Sequence, residues 1–174
     1  MLPRDVTPGD ATLLARHRYA GSPADAHDHA AYAAWVATAI ERGLYLGRLA
    51  LVDGAVVAGA GAVLLEWGPV RGDPGAVRAR LVNVYTELAW RRRGLARALL
   101  GGLLDTLRAR GIGTVTLAAT PLSQPLYDTL GFVPYAAERM LRLETLRPSC
   151  TAARADTGAS PLGSTPCGTL ALAC

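Results

Sequence analysis

The sequence predicts one mixed domain of the α/β (α+β) class, on three observations. Some stretches repeat apolar residues at helical spacing, whereas others are short Val-, Leu- and Ala-rich runs set off by turn residues. A strand-like run at 79–86 leads into the most regular helical pattern of the chain, and a further strand-like run at 114–118 follows it. Two strands joined through a helix within one sheet normally lie parallel, so the class includes a parallel pair. With 174 residues, 51% of them hydrophobic, there is material for one buried core and some chain to spare.

Thr7-Pro8-Gly9-Asp10 opens the first helix, with Thr7 as N-cap, Pro8 in the first helical position and Asp10 as an acid in the first turn; the helix runs to about Arg18. After a loop at 20–25, Tyr32, Trp35, Val36, Ala39 and Ile40 recur at helical spacing, and Gly43 stands where a glycine stops a helix. The runs 44–52 and 55–67 are joined by Asp53-Gly54, a dipeptide favoured in tight hairpins, and should pair antiparallel. A loop at 68–78, rich in Gly, Pro and charge, leads to 79–86, whose Leu-Val-Asn-Val-Tyr-Thr suits a strand covered on both faces. In 94–110, Leu95, Leu99, Leu103 and Leu107 fall four residues apart, beside Ala96, Leu100 and Leu104. Gly111 and Gly113 end that helix. Ser123 can cap a short helix to Leu130, stopped by Gly131, and 132–143 returns as a last strand or hairpin. Beyond Glu144 the composition turns to Thr, Ala, Gly, Ser and Pro without period, so the expected organisation is a domain at 1–144 and a flexible tail at 145–174.

The composition narrows the function. The formal net charge is +4, yet every basic residue is Arg, and these are spread along the chain except at Arg91, Arg92 and Arg93, which is not the pattern of a nucleic-acid surface. No apolar run reaches the roughly 20 residues needed to span a bilayer, and the first residues lack the basic and apolar segments of a secretory signal, so a cytoplasmic location is expected. Cys150, Cys167 and Cys174 match no zinc or redox spacing. His27 and His29, two residues apart, do not share a helix face, and no metal is expected there; the segment reads first as a plain surface loop, and otherwise as a helix entry near the acceptor pocket where Asp25 and Asp28 could attract a cationic amine. Gly59-Ala60-Gly61 lies inside a strand without a third glycine, which points to a close-packed or bulged strand rather than a dinucleotide fingerprint.

The stretch 81–100 carries the chemistry: a buried strand, a short basic loop with one glycine, then a strong helix. The first N–H groups of a helix have no intrahelical partner and the peptide dipoles sum to partial positive charge there, so a diphosphate docks favourably. Gly94 lets the backbone come close, and Arg91, Arg92 and Arg93 add positive charge around the same point.

Arg91-Arg92-Arg93-Gly94-Leu95-Ala96 matches the Q/R-x-x-G-x-G/A pyrophosphate signature, and Leu126-Tyr127-Asp128-Thr129-Leu130-Gly131-Phe132 the LYxxxGF signature, of the GNAT acetyltransferase superfamily, which the chain resembles over about 3–143. The resemblance implies a mixed, mostly antiparallel central sheet of about six or seven strands with a parallel pair at its centre, flanked by about four helices. It implies acetyl-CoA as co-substrate, with the backbone of Arg92 to Ala96, Leu95 included, on the diphosphate. The strand edge at Asn83, Val84, Tyr85 and Thr86 would pair with the pantetheine arm, in the gap where the central strand parts from 114–118. Tyr127 would sit near the sulfur and protonate the leaving thiolate, since a phenol is a donor across the working pH range.

Direct transfer needs an uncharged amine, so a base must take a proton from an alkylammonium near pKa 10.4. Glu87, just past the central strand, and Glu66, near the end of a neighbouring one, are the carboxylate candidates, and the sequence does not choose between them. The expected reaction is attack by a primary amine on acetyl-CoA within a ternary complex, without a covalent enzyme intermediate, because the Cys residues all lie in the tail. A small-molecule amine is the first choice of acceptor; a protein N-terminus or lysine, or a non-catalytic acyl-CoA-binding module, are the alternatives. The first two helices and the 68–78 loop should shape the acceptor cleft of a monomer or homodimer, with neither nucleic acid nor membrane as partner.

Overall fold

Five strands and four α-helices build the described residues, 2–20 and 24–135, of the computed structural model. The strands are β1 (Leu2–Asp5), β2 (Tyr45–Val52), β3 (Ala55–Glu66), β4 (Val77–Thr86) and β5 (Val115–Thr116); the helices are α1 (Ala11–Tyr19), α2 (Ala26–Glu41), α3 (Leu95–Ala109) and α4 (Gln124–Asp128). They form one sheet in the order β1-β2-β3-β4-β5, antiparallel except for the parallel pair β4 and β5. Among the described residues the sheet therefore has fewer strands than six or seven, and the parallel pair closes it rather than lying at its centre. Residues 136–143 of the expected last strand and the tail at 145–174, with its three Cys residues, lie outside the described residues. No helix of the described residues is long and apolar enough to cross a membrane.

Side-chain alternation puts two apolar layers on the sheet. On β2, Tyr45 and Leu49 join Leu14, Val36 and Ala39 of α1 and α2, whereas Leu46, Ala50 and Val52 face the α3 side. The Leu stripe of α3 behaves as its spacing predicts: Leu95, Leu99, Leu103 and Leu107 are all buried, over Ala58, Ala60, Ala62 and Ala79. Small residues on the strands and large ones on the helix interdigitate, and each buried Leu contributes roughly 1.5 to 3 kcal/mol.

Most boundaries fall within two residues of the sequence reading. β1 is the element it missed: four residues, exposed for the most part, with Pro3 and two charges, have no alternation to read, and an edge strand tolerates them. Thr7 to Asp10 is not the first turn of an α-helix but a separate 3-10 turn, Pro8–Asp10. Asp10 accepts from Thr7 N and Thr7 Oγ1 at 2.8 and 3.0 Å and from Arg4 Nη1 and Nη2 at 2.8 and 2.7 Å, tying β1 to α1. That pairing holds the Asp10 carboxyl down to about 2, the Arg4 hydrogen bond being the first cause.

Candidate active site

A bulge in β4 organises the site. Two β4 residues, Asn83 and Val84, stand opposite one residue of β3, because Val82 pairs with Gly61 and Tyr85 with Gly59. Asn83 takes the left-handed conformation (φ 55°), which Asn adopts more readily than a bulkier residue. The bulge inverts the phase of the strand: Ala79 and Leu81 face α3, Val82 and Asn83 both face α1 and α2, and then Val84 faces α3 and Tyr85 faces α1. Asn83 is locked there, its amide donating to Tyr32 OH at 2.8 Å and to Tyr45 OH at 3.0 Å.

Glycines on β3 make room for this packing. A Cβ at Gly61 would lie 2.0 Å from the Tyr45 hydroxyl, and one at Gly59 would lie 2.9 Å from His17 Nδ1. The Gly-Ala-Gly motif is thus a close-packed, bulged strand, as its position in the sequence suggests.

On its other edge β4 is paired, among the described residues, only at its beginning. Ala79 and Arg80 match Val115 and Thr116, after which the two strands part. Into the gap opens a cavity of 790 Å³, lined among the described residues by the β4 run Leu81 to Thr86, by Arg92, Gly94, Leu95, Ala96 and Arg97 at the start of α3, by Ala118 across the gap, and by Tyr127. Gly94 (φ 77°) and Arg92 (φ 61°) both turn left-handed where this loop meets the helix. Among the described residues, no protein acceptor takes the N–H groups of Arg92 to Ala96. Such a cradle suits an anion. Arg91 braces the loop by donating from Nε to the Thr86 carbonyl at 3.0 Å.

Tyr127, on α4, is buried edge-on against Phe132, with ring centroids 5.8 Å apart, and burial pushes its phenol above the usual range, so it remains a proton donor through neutral pH. A second cavity, of 550 Å³, adjoins the first and shares Arg18, Asn83, Val84, Tyr85 and Arg91 with it; His17, Ala20 and Leu88 complete its lining among the described residues. Burial lowers the His17 imidazole below its ordinary range, with Glu87 opposing that shift and Arg16 adding to it.

The sequence-derived residues divide accordingly. Asn83, Val84, Tyr85, Thr86, Arg91, Arg92, Gly94, Leu95, Ala96 and Tyr127 meet at one cavity. The Arg93 side chain does not; its guanidinium lies over the Trp90 ring, 4.7 Å from the centroid. Glu66 is a correction: it pairs with Val77 at the start of β4, so that at the rise of a strand it is roughly 20 Å or more from the bulge. Glu87 lines neither cavity, and its carboxylate accepts from Tyr85 OH at 3.1 Å. The 68–78 loop is also misplaced by the sequence reading, since Asp73 accepts from Thr114 Oγ1, at the end of the sheet away from the cleft. Asp25 and Asp28 cap α2 reciprocally, Asp28 N donating to Asp25 at 2.9 Å and Asp25 N to Asp28 at 3.3 Å. Among the described residues no cluster of His, Cys, Asp or Glu could hold a metal ion. The sequence reading missed His17, Arg18, Arg80 and Arg97; of these only Arg97, in the first turn after Gly94, carries a local signal.

The model of the acetyltransferase (GNAT) family matches residues 12–132. A GCN5-related N-acetyltransferase from Ralstonia eutropha JMP134 superposes with a TM-score of 0.73 and 30% identity, covering 81% of this chain and 97% of that one. An acetyltransferase from Clostridium acetobutylicum, solved with acetyl-CoA, gives 0.72 at 21% identity, covering 82% and 95%. The [ribosomal protein bS18]-alanine N-acetyltransferase of Escherichia coli (strain K12) is 40% identical over 57 residues, 31% of this chain and 38% of the relative. The match thus spans well under half of that curated relative.

Proposed function

The chain belongs to the acetyltransferase (GNAT) family, and from that premise we propose that it is an acyltransferase that moves the acetyl group of acetyl-CoA to a primary amine by direct attack in a ternary complex. One observation carries the reading: the parted edge of β4, the unpartnered amides before α3 and the Tyr127 ring share a single cavity. The diphosphate takes the amides of Arg92 to Ala96, with Arg92 and Arg97 adding charge, and the pantetheine arm runs along Asn83 to Thr86 as an added strand partner. A strand N–H near Val84 polarises the acetyl carbonyl, and Tyr127 returns a proton to the sulfur as the C–S bond breaks.

The acceptor enters through the second cavity, whose 550 Å³ suit a small amine. A protein N-terminal amine is the second reading, favoured by the segment shared with the bS18-alanine acetyltransferase. Calorimetry with coenzyme A tests the cofactor reading, and the absence of affinity would sink it. Thiol release from acetyl-CoA, measured against small primary amines and peptides that begin with Ala, separates the two acceptor classes.

A further inference from the structure

We infer that His17, on α1, is the residue that takes the proton from the acceptor ammonium, a role that rests on the acetyl-CoA reading of the cleft. Three observations place it. The imidazole is buried and stacked on Tyr85, ring centroids 4.7 Å apart and planes 29° from parallel, so the residue just past the β4 bulge fixes its orientation. Among the described residues its Nδ1 has no hydrogen-bond partner, and it is shut against Gly59, where even a methyl group would collide with it. Nε2 is then the nitrogen left to the second cavity, which His17 lines together with Asn83, Val84 and Tyr85, the strand residues that also line the cofactor cleft.

A ring nitrogen buried without a partner costs roughly 1 to 3 kcal/mol, so packing alone favours Leu or Phe at this place. The neighbours suit a base. Tyr85 covers one face of the ring, and burial, with Glu87 opposing and Arg16 on the same helix adding to it, holds the imidazole below its ordinary range and so neutral and able to accept a proton. No carboxylate lines either cavity among the described residues.

The proton balance is complete. The acceptor arrives as R–NH3+ and gives one proton to His17 Nε2, which later passes it to water. The free amine attacks the thioester carbon, the C–N bond forms and the C–S bond breaks. The second nitrogen proton ends on the sulfur, relayed by the Tyr127 hydroxyl. The products are the amide, the free thiol and one proton released to solvent.

The test compares the unsubstituted protein with His17→Phe, which keeps a ring against Tyr85, and with His17→Asn. Thiol release is followed from pH 5 to 9 with a small primary amine and an Ala-initiated peptide as probes. The expected result is a kcat/KM lowered about 100-fold or more at neutral pH, with coenzyme A affinity by calorimetry unchanged. The unsubstituted enzyme should show an acid limb below the ordinary His range and then a plateau; the variants should lose both and rise with pH as free amine accumulates. Rates within about threefold of the parent, or an unaltered pH profile, overturn the inference. NMR titration of the His17 ring in the coenzyme A complex gives an independent reading, and a ring still protonated at neutral pH overturns it as well. Loss of coenzyme A affinity in the unsubstituted protein is a different failure, that of the acetyl-CoA reading.

Discussion

The two walls of the cleft are built of different material. The wall proposed for the cofactor is mostly backbone: among the described residues, strand groups on β4 are left open where β5 departs, and amides where α3 begins. The wall proposed for the acceptor is mostly side chain: His17 is stacked on Tyr85, and Asn83 is held by hydrogen bonds to Tyr32 and Tyr45. Backbone recognition depends on local geometry and tolerates many side chains, whereas a side-chain wall depends on each volume beside it. Substitutions should therefore act differently on the two sides.

The largest effect is expected where the walls meet. Tyr127→Phe removes the proton donor and little volume, so kcat should fall roughly 10² to 10⁴-fold while coenzyme A affinity stays near the parent value; steady-state kinetics beside calorimetry makes the separation. On the backbone wall, Gly94→Val forces a β-branched residue into a left-handed turn at a cost of roughly 1 to 2 kcal/mol. Coenzyme A should then bind on the order of tenfold more weakly. A full-affinity variant would show that the amide cradle is not the diphosphate site.

On the side-chain wall, Gly61→Ala sets a methyl group against the Tyr45 hydroxyl and should lower stability by roughly 1 to 3 kcal/mol in denaturant melts. Coenzyme A affinity should hold until the fold is lost. Asp10→Asn sharpens the comparison from outside the cleft. The Asp10 carboxyl sits at about 2, below its ordinary 3.8, so its contribution is complete above the ordinary value and disappears as pH falls through about 2. The variant should be roughly 1 to 2 kcal/mol less stable at neutral pH, and the difference should shrink between pH 4 and 2. The smallest effect belongs to Glu66→Gln, which should leave turnover within about twofold, since that residue sits at the far end of β3.

The asymmetry also explains which parts of the site were legible. Arg91 to Ala96 point to the proposed anion cradle because strand, glycine turn and helix are consecutive, and the Leu stripe of α3 fixes which way that helix faces. Tyr127, which lines the cavity, was singled out through the signature around it. Glu66 was misassigned because nearness to a strand end does not say which end of the sheet that is, and only the antiparallel register sends it away from the cleft. His17 gave no signal at all, since an isolated His in a helix looks alike whether it meets solvent or the back of a bulged strand.

By itself the sequence determined most element types, the hairpin at Asp53-Gly54 and the packing face of α3, because each is settled by interactions among residues a few positions apart. The tertiary structure alone decided the phase change at Asn83, the glycine-lined slots for Tyr45 and His17, and the meeting of α1 with β4 on the acceptor side. A bulge adds one residue to a strand, and its consequence, every later side chain turned to the opposite face, appears only when a partner strand supplies the register.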